Sequence, residues 1–104
     1  MTSRPLWHGV YPAATTQFAA DLSVDLEATR QVQAALVDDG VDGLILLGTC
    51  GENNSLEPEE KGSVLKAGVE AVGGKVPLVA GVSELTTSRA IAYARDAKRS
   101  ASTR

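Results

Sequence analysis

Apolar residues along this chain fall into two alternating patterns, short unbroken runs and longer stripes at helical spacing. The runs sit at residues 9–15, 43–47 and 76–82, and unbroken apolar stretches of this length read as strands buried on both faces of a parallel sheet. Between and after them come the stripes. Residues 25–38 form a helix with Ala28, Val32, Ala35 and Leu36 as its apolar face, and Gly40 closes it in a left-handed position. A second helix opens around Leu56-Glu57-Pro58-Glu59-Glu60. Pro58 suits the first helical position, and the glutamates suit the positive end of the helix dipole. Its buried stripe is Val64, Leu65, Gly68 and Val72, and Gly73-Gly74 ends it. Gly62 is its weak point, costing roughly 1 kcal/mol against alanine if exposed. Thr86 or Thr87 caps a third helix with the stripe Ala90, Ile91, Ala94 and Ala97.

Equivalent strand positions, Val10, Leu44 and Leu78, recur at about 34 residues. Helical repeats have similar periods but carry no strand-like run, so three βα units forming an α/β fold with a parallel sheet are expected. Three strands cannot close a barrel, and a sheet this small has long apolar edges. After the third helix, Ser100-Ala101-Ser102-Thr103-Arg104 offers neither a glycine cap nor a fourth strand, so the reading is of an interrupted chain.

Composition narrows the functional classes. The 104 residues suffice for one modest domain, 43% apolar and 22% charged with a net charge of −3. Ten basic residues against thirteen acidic ones, with no basic cluster, argue against nucleic acid or an anionic membrane as partner. No run is long enough to cross a bilayer, and residues 1–9 lack the apolar core of a secretory leader. One cysteine, Cys50, precludes an internal disulfide and fits a reducing compartment, so a cytoplasmic location is expected.

The most informative stretch is Leu44-Ile45-Leu46-Leu47-Gly48-Thr49-Cys50-Gly51-Glu52, a buried run entering a polar turn at the carboxyl end of a strand. Ligands of α/β folds bind at that end. Neither glycine-rich phosphate motif is present, and the glutamates behind the turn would repel a nucleotide, although a single small carboxylate remains compatible. Cys50 and the lone His8 lie at opposite ends of neighbouring strands, about 20 Å apart at about 3.3 Å per residue, too far for a nucleophilic pair. One His and one Cys do not supply a metal site. Hydroxyls remain: Thr15, Thr16, Thr49 and Ser83 all end strands on one face. Thr and Ser are common turn residues, but the glycines flanking the turn single out Thr49.

Four stretches in register then resemble a known family: Gly9-Val10-Tyr11-Pro12-Ala13-Ala14-Thr15-Thr16-Gln17-Phe18, Gly40-Val41-Asp42-Gly43-Leu44, Gly48-Thr49-Cys50-Gly51-Glu52 with Leu56 and Glu59-Glu60, and Val76-Pro77-Leu78-Val79-Ala80-Gly81-Val82. Together they resemble the dihydrodipicolinate synthase/N-acetylneuraminate lyase family. The resemblance implies a (β/α)8 barrel of the TIM type, of which residues 1–104 would be the N-terminal part of a single domain holding the first three βα units. It implies a lyase of class I aldolase type, in which a lysine forms a Schiff base with pyruvate or another 2-oxo acid. No cofactor or metal is implied, and a homo-oligomer is expected of the full-length form. Carried over, Thr49 takes a proton-relay position, and Cys50, Gly51 and Thr16 become substrate contacts. Cys50 stands where the family has a second hydroxyl, and Gln17 where it commonly has proline. The family's Schiff-base lysine and relay tyrosine belong to later strands. Lys61, Lys66, Lys75 and Lys98 fall on helices or a loop, so none is expected to be a desolvated nucleophile and this chain alone is expected to be inactive. The alternative is a non-catalytic α/β module that self-associates or docks on a full-length relative, with a nucleotide-binding domain as a minor third.

Overall fold

Three helices pack on one face of a parallel strand pair in the computed structural model, which describes residues 8–101. Of residues 1–9, where no leader core is expected, only His8 and Gly9 fall within the described residues, and the end of the tail from Ser102 lies outside them. The order is α1 (Leu26–Asp38), β1 (Leu44–Leu46), a 3-10 turn (Asn53–Ser55), α2 (Pro58–Val72), β2 (Leu78–Ala80) and α3 (Thr87–Ala101).

Helix boundaries follow local chemistry. Asp25 caps α1 by accepting from Ala28 N at 3.0 Å. Pro58 opens α2, where Glu57 and Glu60 cap each other reciprocally, Glu57 N donating to Glu60 Oε1 at 2.8 Å. That arrangement satisfies two N–H groups the helix cannot pair itself. Gly73, left-handed at φ 48°, closes α2. Thr86 caps α3 by accepting from Arg89 N at 3.2 Å.

The strands pair in register, Leu44 with Leu78, Ile45 with Val79 and Leu46 with Ala80. Both are shorter than the apolar runs predict. The first run, residues 9–15, is not a continuous strand. It lies beside β1 and makes one parallel bridge, Ala13 to Ile45, through Ala14 N to Ile45 O and Ile45 N to Pro12 O, both 2.9 Å. Pro12 has no N–H to extend the ladder, and Val10 N is taken by the Asp42 carboxylate at 2.7 Å.

Strand side chains alternate between two faces. Leu44 and Leu46 point to the helices and are buried with Leu47, Val64, Leu65 and Val72. Gly68 lets α2 approach closely, since a Cβ there would stand 2.7 Å from Leu46 Cδ1. On the other face Ala13 is exposed and Ile45 and Val79 only half-buried. The expectation of strands buried on both faces therefore holds only on the helix side of β1 among the described residues, since Leu78 and Ala80 of β2 are half-buried.

Two predicted stripes are displaced. In α1 the buried residues are Thr29 and Gln33, while Ala35 is exposed and Ala28, Val32 and Leu36 are half-buried. Thr29 is buried because its hydroxyl is satisfied twice, donating to Asp25 O at 2.7 Å and accepting from Gln17 N at 3.1 Å. In α3 the buried residue is Tyr93, flanked by half-buried Ala90 and Ala97, whereas Ile91 and Ala94 face outward. The aromatic ring buries more surface than Ile91 and takes the inward position.

Candidate functional site

The carboxyl ends of β1 and β2 meet at Leu47, whose backbone is left-handed at φ 58° although its side chain is fully buried. Such a conformation is uncommon for a bulky residue. Two glycines permit it by close approach. A Cβ on Gly81 would stand 2.3 Å from Leu47 O, and one on Gly51 would stand 2.9 Å from Leu47 N. Gly81 N also donates to Leu46 O at 2.8 Å, which ties the two strand ends together.

Past Leu47 the chain turns tightly. Gly48 O accepts from Gly51 N at 3.1 Å and from Asn53 N at 3.3 Å, and Thr49 O accepts from Glu52 N at 3.0 Å. Thr49 and Cys50 are thereby left exposed at the tip, while Gly51 is buried beneath them. Thr16 is buried as well, and its hydroxyl donates to Gly51 O at 2.7 Å. The four residues singled out from the sequence are thus brought together, in two layers. Thr49 and Cys50 face outward, and Thr16 and Gly51 form the support. Thr15 accepts from Gln17 Nε2 at 2.8 Å, and exposed Ser83 follows β2 on the same edge.

Behind the turn lies a cluster with little sequence signal. Lys61, on the first turn of α2, is buried with a residue exposure of only 5%. Its ammonium pairs with Glu84, donates to Asn53 Oδ1 at 3.2 Å, and stands 5.3 Å from the centre of the Tyr93 ring. The expectation that no lysine here is desolvated is corrected at this residue. A buried charge persists when it is paired and hydrogen-bonded. Its partner, Glu84, lies 23 positions away, which is why helical position alone missed it. The Lys61 nitrogen is committed to Glu84 and Asn53 and is not presented at the turn. Lys66, Lys75 and Lys98 are exposed.

Burial, and secondarily the Glu84 charge, pushes the Tyr93 phenol up to about 12. Its hydroxyl is buried without a hydrogen-bond partner among the described residues. Leu56, Lys61, Glu84, Leu85, Arg89 and Tyr93 contribute to a cleft of about 620 Å3. Thr49 and Cys50, both exposed, do not line it. Among the described residues no group of three potential ligands could hold a metal, and no helix is long and apolar enough to cross a membrane.

The sequence matches the family model described as Dihydrodipicolinate synthetase family over residues 6–102. It is 43% identical over 90 residues to a DapA-like lyase of Halobacterium salinarum, covering 86% of this chain and 30% of that protein. It is equally 43% identical over 90 residues to 4-hydroxy-tetrahydrodipicolinate synthase 2 of Streptomyces coelicolor, with the same 86% and 30% coverage. Among solved structures, YagE of E. coli K12, a prophage protein of the dihydrodipicolinic acid synthase family in complex with pyruvate, superposes with a TM-score of 0.86 at 29% identity, over 93% of this chain and 33% of that one. N-acetylneuraminate lyase of Mycoplasma synoviae superposes with a TM-score of 0.83 at 32% identity, over 88% and 32% of the two chains. The chain spans about 30% of the length of these curated relatives. Its fold is part of the TIM barrel that the neighbouring structures form, covering a third of their chains. A strand pair with helices on one face, a clasped turn at the strand ends and a family match over nearly every residue together establish that this chain belongs to the dihydrodipicolinate synthetase family of lyases.

Proposed function

We propose that residues 1–104 are the N-terminal part of a single-domain lyase that condenses or cleaves a pyruvate-like 2-oxo acid through a Schiff base, and that they supply one wall of its site. The observation that carries this reading is the turn itself. Thr49 and Cys50 are held outward at the carboxyl end of β1, on a support of Thr16 and Gly51. A hydroxyl fixed there can pass a proton, and the Cys50 backbone N–H can face a small carboxylate.

In the proposed reaction a lysine amine adds to the keto carbon and water leaves, giving an imine. Loss of a proton from the methyl carbon makes an enamine that adds to an aldehyde, or the reverse sequence releases one. Thr49 relays protons to and from the water and the new alcohol. The reacting lysine comes from later barrel strands, because Lys61 is committed to Glu84 and the other lysines are exposed on helices or a loop. Thr16 contributes by holding Gly51, and Cys50, with a weaker donor than a hydroxyl, contributes through its backbone. The complete protein on this reading is a cytoplasmic homo-oligomer that needs no metal or organic cofactor.

A chimera in which five βα units of a family relative complete this chain tests the assignment. Thr49→Val should lower its kcat by about 10²–10⁴, the range of a lost acid–base contribution. Undiminished activity in that variant would remove Thr49 from the reaction.

A further inference from the structure

We infer that Lys61 is a positioning residue for the turn at residues 48–51, acting through the side-chain amide of Asn53. Asn53 is almost completely buried and joins three parts of the fold. Its backbone N–H reaches Gly48 O at 3.3 Å, its side-chain Nδ2 reaches Gly81 O at 3.4 Å, and its Oδ1 accepts from Lys61 Nζ at 3.2 Å. An amide has a donor end and an acceptor end, and sterics scarcely distinguish them. The ammonium of Lys61 decides which end faces α2, and thereby aims the donor end at the tip of β2. Glu84 on the β2–α3 loop holds that ammonium in place, and the Tyr93 ring covers it.

The consequence reaches the site in one further bond. Gly48 O accepts from both Asn53 N and Gly51 N, so the orientation of the peptide entering Thr49 depends on Asn53 staying where it is. Thr16 secures the other end of the turn through Gly51 O. Thr49 and Cys50 lie between the two anchors and make up its exposed part. Stability alone does not account for the cluster, because well-packed apolar residues of similar volume commonly replace a buried ion pair without loss. Orienting an amide is a task such residues cannot perform. The inference concerns the conformation of the turn and holds whether or not the turn serves the proposed lyase reaction.

The decisive variant is the double substitution Lys61→Met with Glu84→Leu, which removes both charges and leaves neither buried alone. If Lys61 positions the turn, this variant still unfolds cooperatively, at a urea concentration lowered only as far as the unpartnered Asn53 Oδ1 requires. Yet its Gly51 amide exchanges about tenfold faster, as expected for loss of roughly one hydrogen bond. Cys50, the only thiol, reports the same change as a several-fold altered alkylation rate, while amides in the middle of α1 keep their parental rates. Parental exchange at Gly51 together with parental Cys50 reactivity in the folded double variant would overturn the inference. The unaltered chain gives a second test that does not depend on a variant folding. The Asn53 side-chain amide protons should exchange about tenfold or more slowly than those of exposed Asn54. Equal rates for the two would mean that Asn53 is not held, and would overturn it too.

Discussion

Replacing Gly81 by alanine tests whether the two strand ends are as tightly clasped as the structure shows. The added methyl would stand 2.3 Å from Leu47 O, 2.8 Å from Leu47 C and 3.0 Å from Gly48 Cα. Carbon and oxygen normally approach to about 3.3 Å, so the strands must part by about 1 Å. All three neighbours are backbone, and no side chain can swing aside. Overpacking of this kind costs about 1–3 kcal/mol, and weakening the 2.8 Å bond from Gly81 N to Leu46 O adds about 1 kcal/mol, for a total of about 2–4 kcal/mol. Gly62→Ala is the matched control. Nothing lies within 4 Å of a Cβ at Gly62, and the residue sits inside α2, so alanine should stabilise by about 1 kcal/mol. Urea unfolding followed by circular dichroism reads both. With a slope of about 1–2 kcal/mol per molar, the Gly81→Ala midpoint should fall by at least about 1 M while the Gly62→Ala midpoint rises. A Gly81→Ala protein within about 0.5 kcal/mol of the parent would refute the clasp, and with it the account of how Leu47 is held left-handed.

Other consequences follow from buried polar groups. Gln33 is buried with its Oε1 unpartnered among the described residues, so Gln33→Leu should stabilise by about 1–2 kcal/mol in the same urea assay, and a clear loss would show that the oxygen has a partner. Tyr93 titrates near 12 when folded against an ordinary value of 10, so the unfolded chain loses its proton first as pH rises. The stability this contributes is complete below pH 10 and drains away as pH rises towards about 12. Urea midpoints near pH 9 and about pH 11.5 should differ more in the parent than in Tyr93→Phe, and equal differences would contradict the burial of the phenol.

Chain-local chemistry was legible from sequence, and chemistry that depends on distant partners was not. Asp25, Pro58, Gly73 and Thr86 act within one turn of a helix, and each stands at the boundary its type predicts. The turn at residues 48–52 was legible for the same reason, since two glycines and an apolar run lie side by side. Thr29 and Gln33 were missed because a hydrophobic stripe treats every polar residue as solvated. Thr29 escapes that rule only because Gln17 and Asp25 satisfy its hydroxyl. From sequence Lys61 is one more helical lysine, because its burial depends on Glu84 and Tyr93, which the chain reaches only after another strand. The first run reads as a strand because apolar periodicity counts Pro12 as apolar and ignores its missing N–H.

The pairing of Lys61 with Glu84 leaves the proposed wall of the lyase site without a covalent residue of its own. Incubation with pyruvate, reduction with borohydride and an intact mass test this in one measurement. The unmodified mass is expected, with Lys61, Lys66, Lys75 and Lys98 all free of a reduced pyruvyl adduct. A stable adduct on any one of the four would contradict it.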